Sequence, residues 1–201
     1  MPNKSKASTS RLGVFVALLR GVNVGGNSMI RMSSLKTSFE KMGFTEVTTY
    51  INSGNVIFLA KENDARKLET KIEQMLSKEY QLNSRVVVRS LSEMAKLVKS
   101  LPKSWNGDSS WRYNVIFLRD TIDSKKILAE LLVKSDNEEV LYRQGALLWS
   151  AKVSQLSRTN MVKLSTRKIY QDMTVRNVNT TKKVYELMKK IADNQIGAKD
   201  E

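Results

Sequence analysis

Apolar residues along this chain fall into a small number of spacings. Val14-Phe15-Val16-Ala17-Leu18-Leu19 is an unbroken apolar run bounded by polar and turn-forming residues, so residues 12–19 are expected to form a buried strand. Met32, Leu35, Phe39 and Met42 recur at helical spacing. They predict a helix opened by Ser33 or Ser34, running to about 42 and stopped by Gly43. Residues 46–51 and 56–59 read as strands joined by Asn52-Ser53-Gly54-Asn55, a hairpin with glycine at a left-handed position. Asp64 opens a helix carrying Leu68, Ile72, Met75 and Leu76, and 85–89, with Val86-Val87-Val88, is a further strand. This order is βαββαβ, the pattern of a ferredoxin-like unit. A helix over 92–100, capped by Ser92, follows.

A polar stretch over 102–110, with Trp105, Asn106, Gly107 and Asp108, marks a boundary. Beyond it the order repeats. Residues 113–118 form a strand, and Asp123 or Ser124 caps a helix to about 133. Residues 140–143 and 146–150 make a hairpin about Gln144-Gly145. A helix near 160–170, a short strand near 173–175 and a final helix from Asn179 or Thr180 to about 191 complete the chain. The expected class is α+β, with two ferredoxin-like (α/β-plait) units in tandem. The first spans 12–101 and the second 112–201, with a linker at 102–111 and a disordered, mildly basic tail at 1–11. The repetition lies in element order, not in visible sequence identity, and one continuous sheet would share the alternation.

Composition narrows the chemistry. The 201 residues contain neither cysteine nor histidine, which removes thiol nucleophiles, disulfides, Cys/His metal sites and every triad with an imidazole base. No metal site or cofactor is expected. A hydrophobic content of 41% is enough for packed cores, so this is a folded chain and not a basic tail. No run approaches the length of a membrane helix, and the first ten residues lack the apolar core of a secretory signal, so the expected location is the cytoplasm. The net charge of +14 is unevenly spread. Between 151 and 190, ten cationic side chains face only Asp172 and Glu186, a concentration that favours polyanions. A plainly solvated, soluble surface gives the same composition.

Three polar segments are candidate sites. Arg20-Gly21-Val22-Asn23-Val24-Gly25-Gly26-Asn27 follows the first strand directly. Gly and Asn tolerate positive φ and let backbone N–H groups converge on an anion, with Arg20 as a charged fork beside them. It has neither the Gly-Lys-Ser/Thr ending of a P-loop nor the spacing of a dinucleotide fingerprint, and a tight connection serving only sterics is the alternative. The second candidate is Arg176, Asn177, Asn179, Thr180 and Lys183, which gather donors at the start of the last helix; its alternative is ordinary capping. The third is the hairpin, with Ser53 and Asn55, which alone reads as a turn. Glu138 and Glu139 fall on opposite faces of a strand and form no catalytic pair. Trp105, Trp111 and Tyr113 read as core before they read as stacking platforms for bases.

These segments carry a resemblance. Residues 17–27, Thr49-Tyr50-Ile51-Asn52-Ser53-Gly54-Asn55-Val56, and Thr174-Val175-Arg176-Asn177-Val178-Asn179-Thr180 resemble, in order and separation, the three signatures of the bacterial DUF1697 family. The resemblance spans 12–192 and implies two α/β-plait domains and no established reaction. This chain has Asn52 where the family usually has Gln, Val178 where it usually has Trp, and Val22 where it usually has Ile.

The resulting expectation is a binding module for a phosphorylated small molecule or a nucleic-acid backbone. Its ligand-binding residues would be Arg20, Gly21, Asn23, Gly25, Gly26, Asn27, Ser53, Asn55, Arg176, Asn177, Asn179, Thr180 and Lys183. The strand 85–89 has no aromatic pair for stacking bases, so phosphate contact is favoured over base reading. Two alternatives stand beside it. One is a small-molecule enzyme acting on a phosphorylated or carboxylate substrate without His or Cys. The other is a protein-interaction module whose signature loops are structural. The sequence names neither a protein partner nor an oligomeric state.

Overall fold

The computed structural model describes residues 12–23, 29–105, 107–131 and 136–197. The tail 1–11, the loop residues Val24, Gly25, Gly26, Asn27 and Ser28, Asn106, and the end of the helix expected to reach 133 lie outside the described residues. The first half runs β1 (Gly13–Leu19), α1 (Met32–Lys41), β2 (Thr45–Tyr50), β3 (Asn55–Ala60), α2 (Ala65–Tyr80), β4 (Val86–Ser90) and α3 (Leu91–Lys99). The second runs β5 (Trp111–Leu118), α4 (Ile127–Leu131), β6 (Glu138–Arg143), β7 (Ala146–Lys152), α5 (Asn160–Leu164), β8 (Met173–Asn177) and α6 (Val178–Gly197). The class is mixed α+β, with two four-stranded antiparallel sheets. Their strand orders are β2-β3-β1-β4 and β6-β7-β5-β8, the same permutation twice.

Side-chain alternation along β1 explains its unbroken apolar run. Phe15, Ala17 and Leu19 face a core closed by Leu35 and Phe39 of α1 and by Leu68, Ile72 and Leu76 of α2. Val14, Val16 and Leu18 face the other way, into a core shared with Val115 and Phe117 of β5 and Ala146 and Leu148 of β7. Met94 and Leu97 of α3, with Val178, Val184, Met188 and Ile191 of α6, complete this middle layer. Ile116, Leu118, Leu147 and Trp149 pack on the far side against α4 and α5. Both sheets are therefore covered on both faces, and each fully buried large apolar side chain contributes about 1.5–3 kcal/mol. Trp105, from the polar stretch between the halves, is buried in the shared core with its ring 5.0 Å from that of Tyr113.

Several boundaries differ from expectation, among them the α4 start, at Ile127 and not directly after Asp123 or Ser124, and four more. The cap of α3 is Ser90, not Ser92. Ser90 Oγ accepts from Glu93 N (3.3 Å) and Ser90 N donates to Glu93 Oε2 (2.8 Å), a capping box legible as Ser-x-x-Glu. Helix α1 starts at Met32 without a side-chain cap, so neither Ser33 nor Ser34 plays that part. The single helix expected over 160–170 stops at Leu164 and resumes as a 3-10 turn, Lys168–Asp172. Ser165 Oγ and Thr166 Oγ1 donate back to the carbonyls of Val162 (2.6 Å) and Lys163 (2.8 Å), competing with continuation of the helix. The last helix starts at Val178, with Asn179 and Thr180 already inside its first turn. Among the described residues no helix is long and apolar enough to cross a membrane.

Candidate functional site

Strand direction brings the first two polar segments together. β1 and β2 are each antiparallel to β3, so both end on the same edge of the sheet. Leu19 N donates to Gly54 O at 2.8 Å. Asn23, at φ +57°, donates through its amide to Ile30 O and Asn52 O, both at 3.0 Å, and accepts from Ile30 N at 2.7 Å. It thereby pins both ends of the loop to the hairpin. Asn55 is buried, and its amide donates to Tyr50 O and Ser53 Oγ, each at 3.0 Å. Gly54 is required twice over: its φ is +71°, and a Cβ there would stand 2.8 Å from Leu19 Cβ.

The third segment joins them through Arg176. Its Nε donates to Asn55 Oδ1 at 2.6 Å, and its Nη2 reaches Leu19 O and Ser53 O at 2.8 Å and Gly54 O at 3.3 Å. Nη1 donates to Val175 O at 2.9 Å. Burial pushes the guanidinium pKa down to about 10, so the group remains charged at neutral pH. Arg176 therefore ties the three segments to one another, and its donors point at main-chain carbonyls and the Asn55 amide oxygen inside the protein. Asn177 Oδ1 accepts from Asn179 N (2.9 Å) at the start of α6, and Asn177 Nδ2 donates to Tyr113 O (3.3 Å). Asn179 is exposed, Thr180 is half-buried, and Lys183 forms a surface pair with Glu186 at 3.2 Å. Val178 is buried in the shared core.

A counterpart of this tie exists that the sequence reading did not single out. Arg89 of β4 donates through Nη2 to Leu118 O and, at 3.1 Å, to Gly145 O, and through Nη1 to Val88 O at 2.8 Å. Leu118 ends β5 as Leu19 ends β1, and Leu118 N donates to Gly145 O (3.0 Å) as Leu19 N does to Gly54 O. Each half thus sends an arginine from its last strand to the first strand and hairpin glycine of the other. This reciprocity accompanies the strand order that the two sheets share.

Arg20 lies apart from this tie and opens onto solvent. It lines a polar cleft of about 700 Å³ together with Asn83, Arg85, Ser165, Thr166, Arg167, Lys168 and Gln171. Its guanidinium lies 4.9 Å from the centre of the Tyr170 ring, which fixes its position. Arg85 also pairs with Glu73 (3.5 Å) and Asp172 (4.0 Å), and Arg167 donates to Glu130 O. No carboxylate among the described residues lies within ion-pair distance of Arg20, Arg167 or Lys168. Arg167 and Lys168 were visible in sequence only as members of the basic stretch, and Arg85 carried no signal of its own. Gly21, at φ +70°, is exposed beside Arg20, whereas Gly25, Gly26 and Asn27 lie outside the described residues. A second cavity, about 430 Å³ between α3 and the β6–β7 hairpin, mixes both signs of charge: Arg89, Lys96 and Arg143 with Glu93, Asp120 and Asp123. No group of acidic side chains among the described residues could hold a metal ion.

A family model described as "Protein of unknown function (DUF1697)" matches residues 12–149. The chain belongs to the DUF1697 family. Among solved structures, the conserved bacterial protein SP0830 from Streptococcus pneumoniae is similar to this DUF1697 chain at 24% identity and a TM-score of 0.79. The match covers 89% of this chain and 99% of that one, and it shows a common fold. Among curated proteins, none matches.

Proposed function

We propose that this DUF1697 protein binds the phosphate groups of a ligand, either a small molecule or a nucleic-acid backbone, in the cleft framed by Arg20, Arg85, Arg167 and Lys168. The observation that carries this reading is that Arg20, Arg167 and Lys168 converge there with no carboxylate of the described residues within ion-pair distance, beside an Arg85 that pairs with Glu73 and Asp172. Arginine forks suit phosphate oxygens, and the hydroxyls of Ser165 and Thr166 add neutral donors. Gly21 and Asn23 hold the turn that presents Arg20. Each half is read as a ferredoxin-like plait, 12–101 and 112–201 about a linker at 102–111, a reading supported by the shared strand order. The test is a thermal-shift titration with phosphorylated metabolites and short single-stranded RNA at low and moderate salt. A ligand held at this cleft raises the melting temperature of the native protein and loses that effect in Arg20→Gln. Shifts that are identical in the variant would place binding elsewhere.

A further inference from the structure

The two halves end their first strands on the same residue pair, Leu19-Arg20 and Leu118-Arg119. The two arginines stand in equivalent places. Arg20 N donates to Arg85 O (3.3 Å) and Arg119 N to Asp172 O (3.0 Å), and Arg85 and Asp172 immediately precede β4 and β8. Their surroundings are opposite in charge. The Arg119 guanidinium, largely buried, pairs with Glu73, with Glu69 at 3.5 Å and with Asp172 at 3.9 Å. Two of those carboxylates come from α2, the helix between the third and fourth strands of the first half. The matching segment of the second half, between β7 and β8, is what faces Arg20, and it supplies Ser165, Thr166, Arg167, Lys168 and Gln171 instead. Arg85 stands where Asp172 stands for its partner. One arginine is enclosed by carboxylates of the chain; the other shares its cleft with Arg167 and Lys168, which have no carboxylate partner among the described residues, and with Arg85, which pairs with Glu73 and Asp172.

Like charges gathered at one cleft repel one another and weaken the fold unless a counter-charge is supplied. Arg119 shows what counter-charge this position takes: several anionic oxygens from more than one carboxylate. We infer that the Arg20 cleft takes a polyphosphate group, with at least two negative charges on neighbouring phosphates, set around Arg20 as the carboxylates are set around Arg119. This rests on the anion-binding reading above and narrows it. The residues lining the cleft include no aromatic side chain, and the Tyr170 ring next to them is engaged by Arg20. Recognition therefore runs through phosphates and is indifferent to the base attached to them. The pyrophosphate end of a nucleoside diphosphate carries this chemistry, whereas the sugar-separated phosphodiesters of a single strand do not.

The test is calorimetric titration of the full chain at constant ionic strength with acetate, inorganic phosphate, pyrophosphate, ADP, CDP and a short single-stranded RNA without terminal phosphates. The expected result is that pyrophosphate and both diphosphates bind at least about tenfold tighter than phosphate or acetate, ADP and CDP equally. Arg20→Gln and Lys168→Gln each weaken that binding about tenfold. If RNA alone binds, with the same loss in both variants, the polyphosphate inference is overturned and the anion cleft remains, its ligand a strand backbone. Acetate and phosphate binding as tightly as pyrophosphate, with all of it lost in Arg20→Gln, would overturn the polyphosphate inference and leave the anion cleft. Binding of every probe unchanged in Arg20→Gln would overturn both. A measurement that needs no ligand accompanies these. Lys168→Glu gives Arg20 the carboxylate its counterpart already has, so it should raise the melting temperature of the free protein and weaken pyrophosphate binding. A fall in melting temperature with binding intact would count against the inference.

Discussion

Arg89 and Arg176 do the same thing from opposite halves of the chain, and the difference between them lies in the hairpin each one meets. Each lies opposite a valine of its central strand, Val16 or Val115, and each donates to the carbonyl of the valine before it. Each crosses to the carbonyls that close the other sheet's first strand and hairpin. At the next position the halves part. Arg176 finds the amide oxygen of Asn55, whereas the residue at that register in the second half is Ala146. Arg176, Ser53, Gly54 and Asn55 fall in two of the three segments that resemble family signatures, while Arg89 and Gly145 fall in none. A dense run of signature residues can therefore mark the place where a fold is tied together. The open, uncompensated charge lies beside it, at Arg20.

The most severe test of that equivalence is removal of the arginines. Arg176→Met removes the guanidinium donors from the carbonyls of Leu19 and Ser53 and from the Asn55 amide oxygen, Gly54 O keeping its bond from Leu19 N, and should cost at least about 3 kcal/mol in urea unfolding. Arg89→Met should cost a comparable amount, and a loss under about 1 kcal/mol in either would break the comparison. Gly54→Ala comes next, at about 2–3 kcal/mol, because it combines positive φ with a close approach to Leu19. Gly21→Ala, at φ +70° with open space around it, should lose only about 1 kcal/mol, which isolates the backbone part. Asn55→Ala converts the Arg176 surroundings toward those of Arg89. It should cost about 1–2 kcal/mol, and only the share owed to the Arg176 bond should vanish in an Arg176→Met background, the bonds to Tyr50 O and Ser53 Oγ being lost in both.

The smallest effect concerns pH. Burial raises the Glu69 carboxyl above its usual range, against the opposing pull of the Val88 N–H and Arg119. The folded state then holds more protons than the unfolded state between the ordinary and the raised value, so stability falls as pH rises through that window. Glu69→Gln should flatten this part of the profile in denaturation curves measured at several pH values.

Most elements were legible because their patterns are local. The helical stripe of Leu68, Ile72, Met75 and Leu76 and the valines of β4 identify themselves within a few residues. Even the α3 boundary was written as Ser90-Leu91-Ser92-Glu93, one residue pair away from the cap first read. The broken helix near 160–170 was harder, since apolar spacing there says nothing of how Ser165 and Thr166 turn their hydroxyls. The meeting of loop and hairpin could be anticipated from strand direction. The direction in which Arg176 points could not, since its acceptors lie more than a hundred residues earlier in the chain. The same holds for the cleft. Arg20 stood out by its glycine-rich surroundings, but Arg85 and Arg167 gain meaning only when two halves place them face to face.

The crossed arginines also bear on how the chain is made. A ribosome releases the first half well before residue 176 has been synthesised, and domains ordinarily fold in the order they emerge. Here the nascent first half would carry Val14, Val16, Leu18, Ile57, Leu59 and Val87 on a face with no second sheet to cover it. Its hairpin would lack the guanidinium that closes it. The protein reaches its finished state only when its end meets its beginning, so a message truncated before β8 yields a chain exposed to proteases and not a smaller working version.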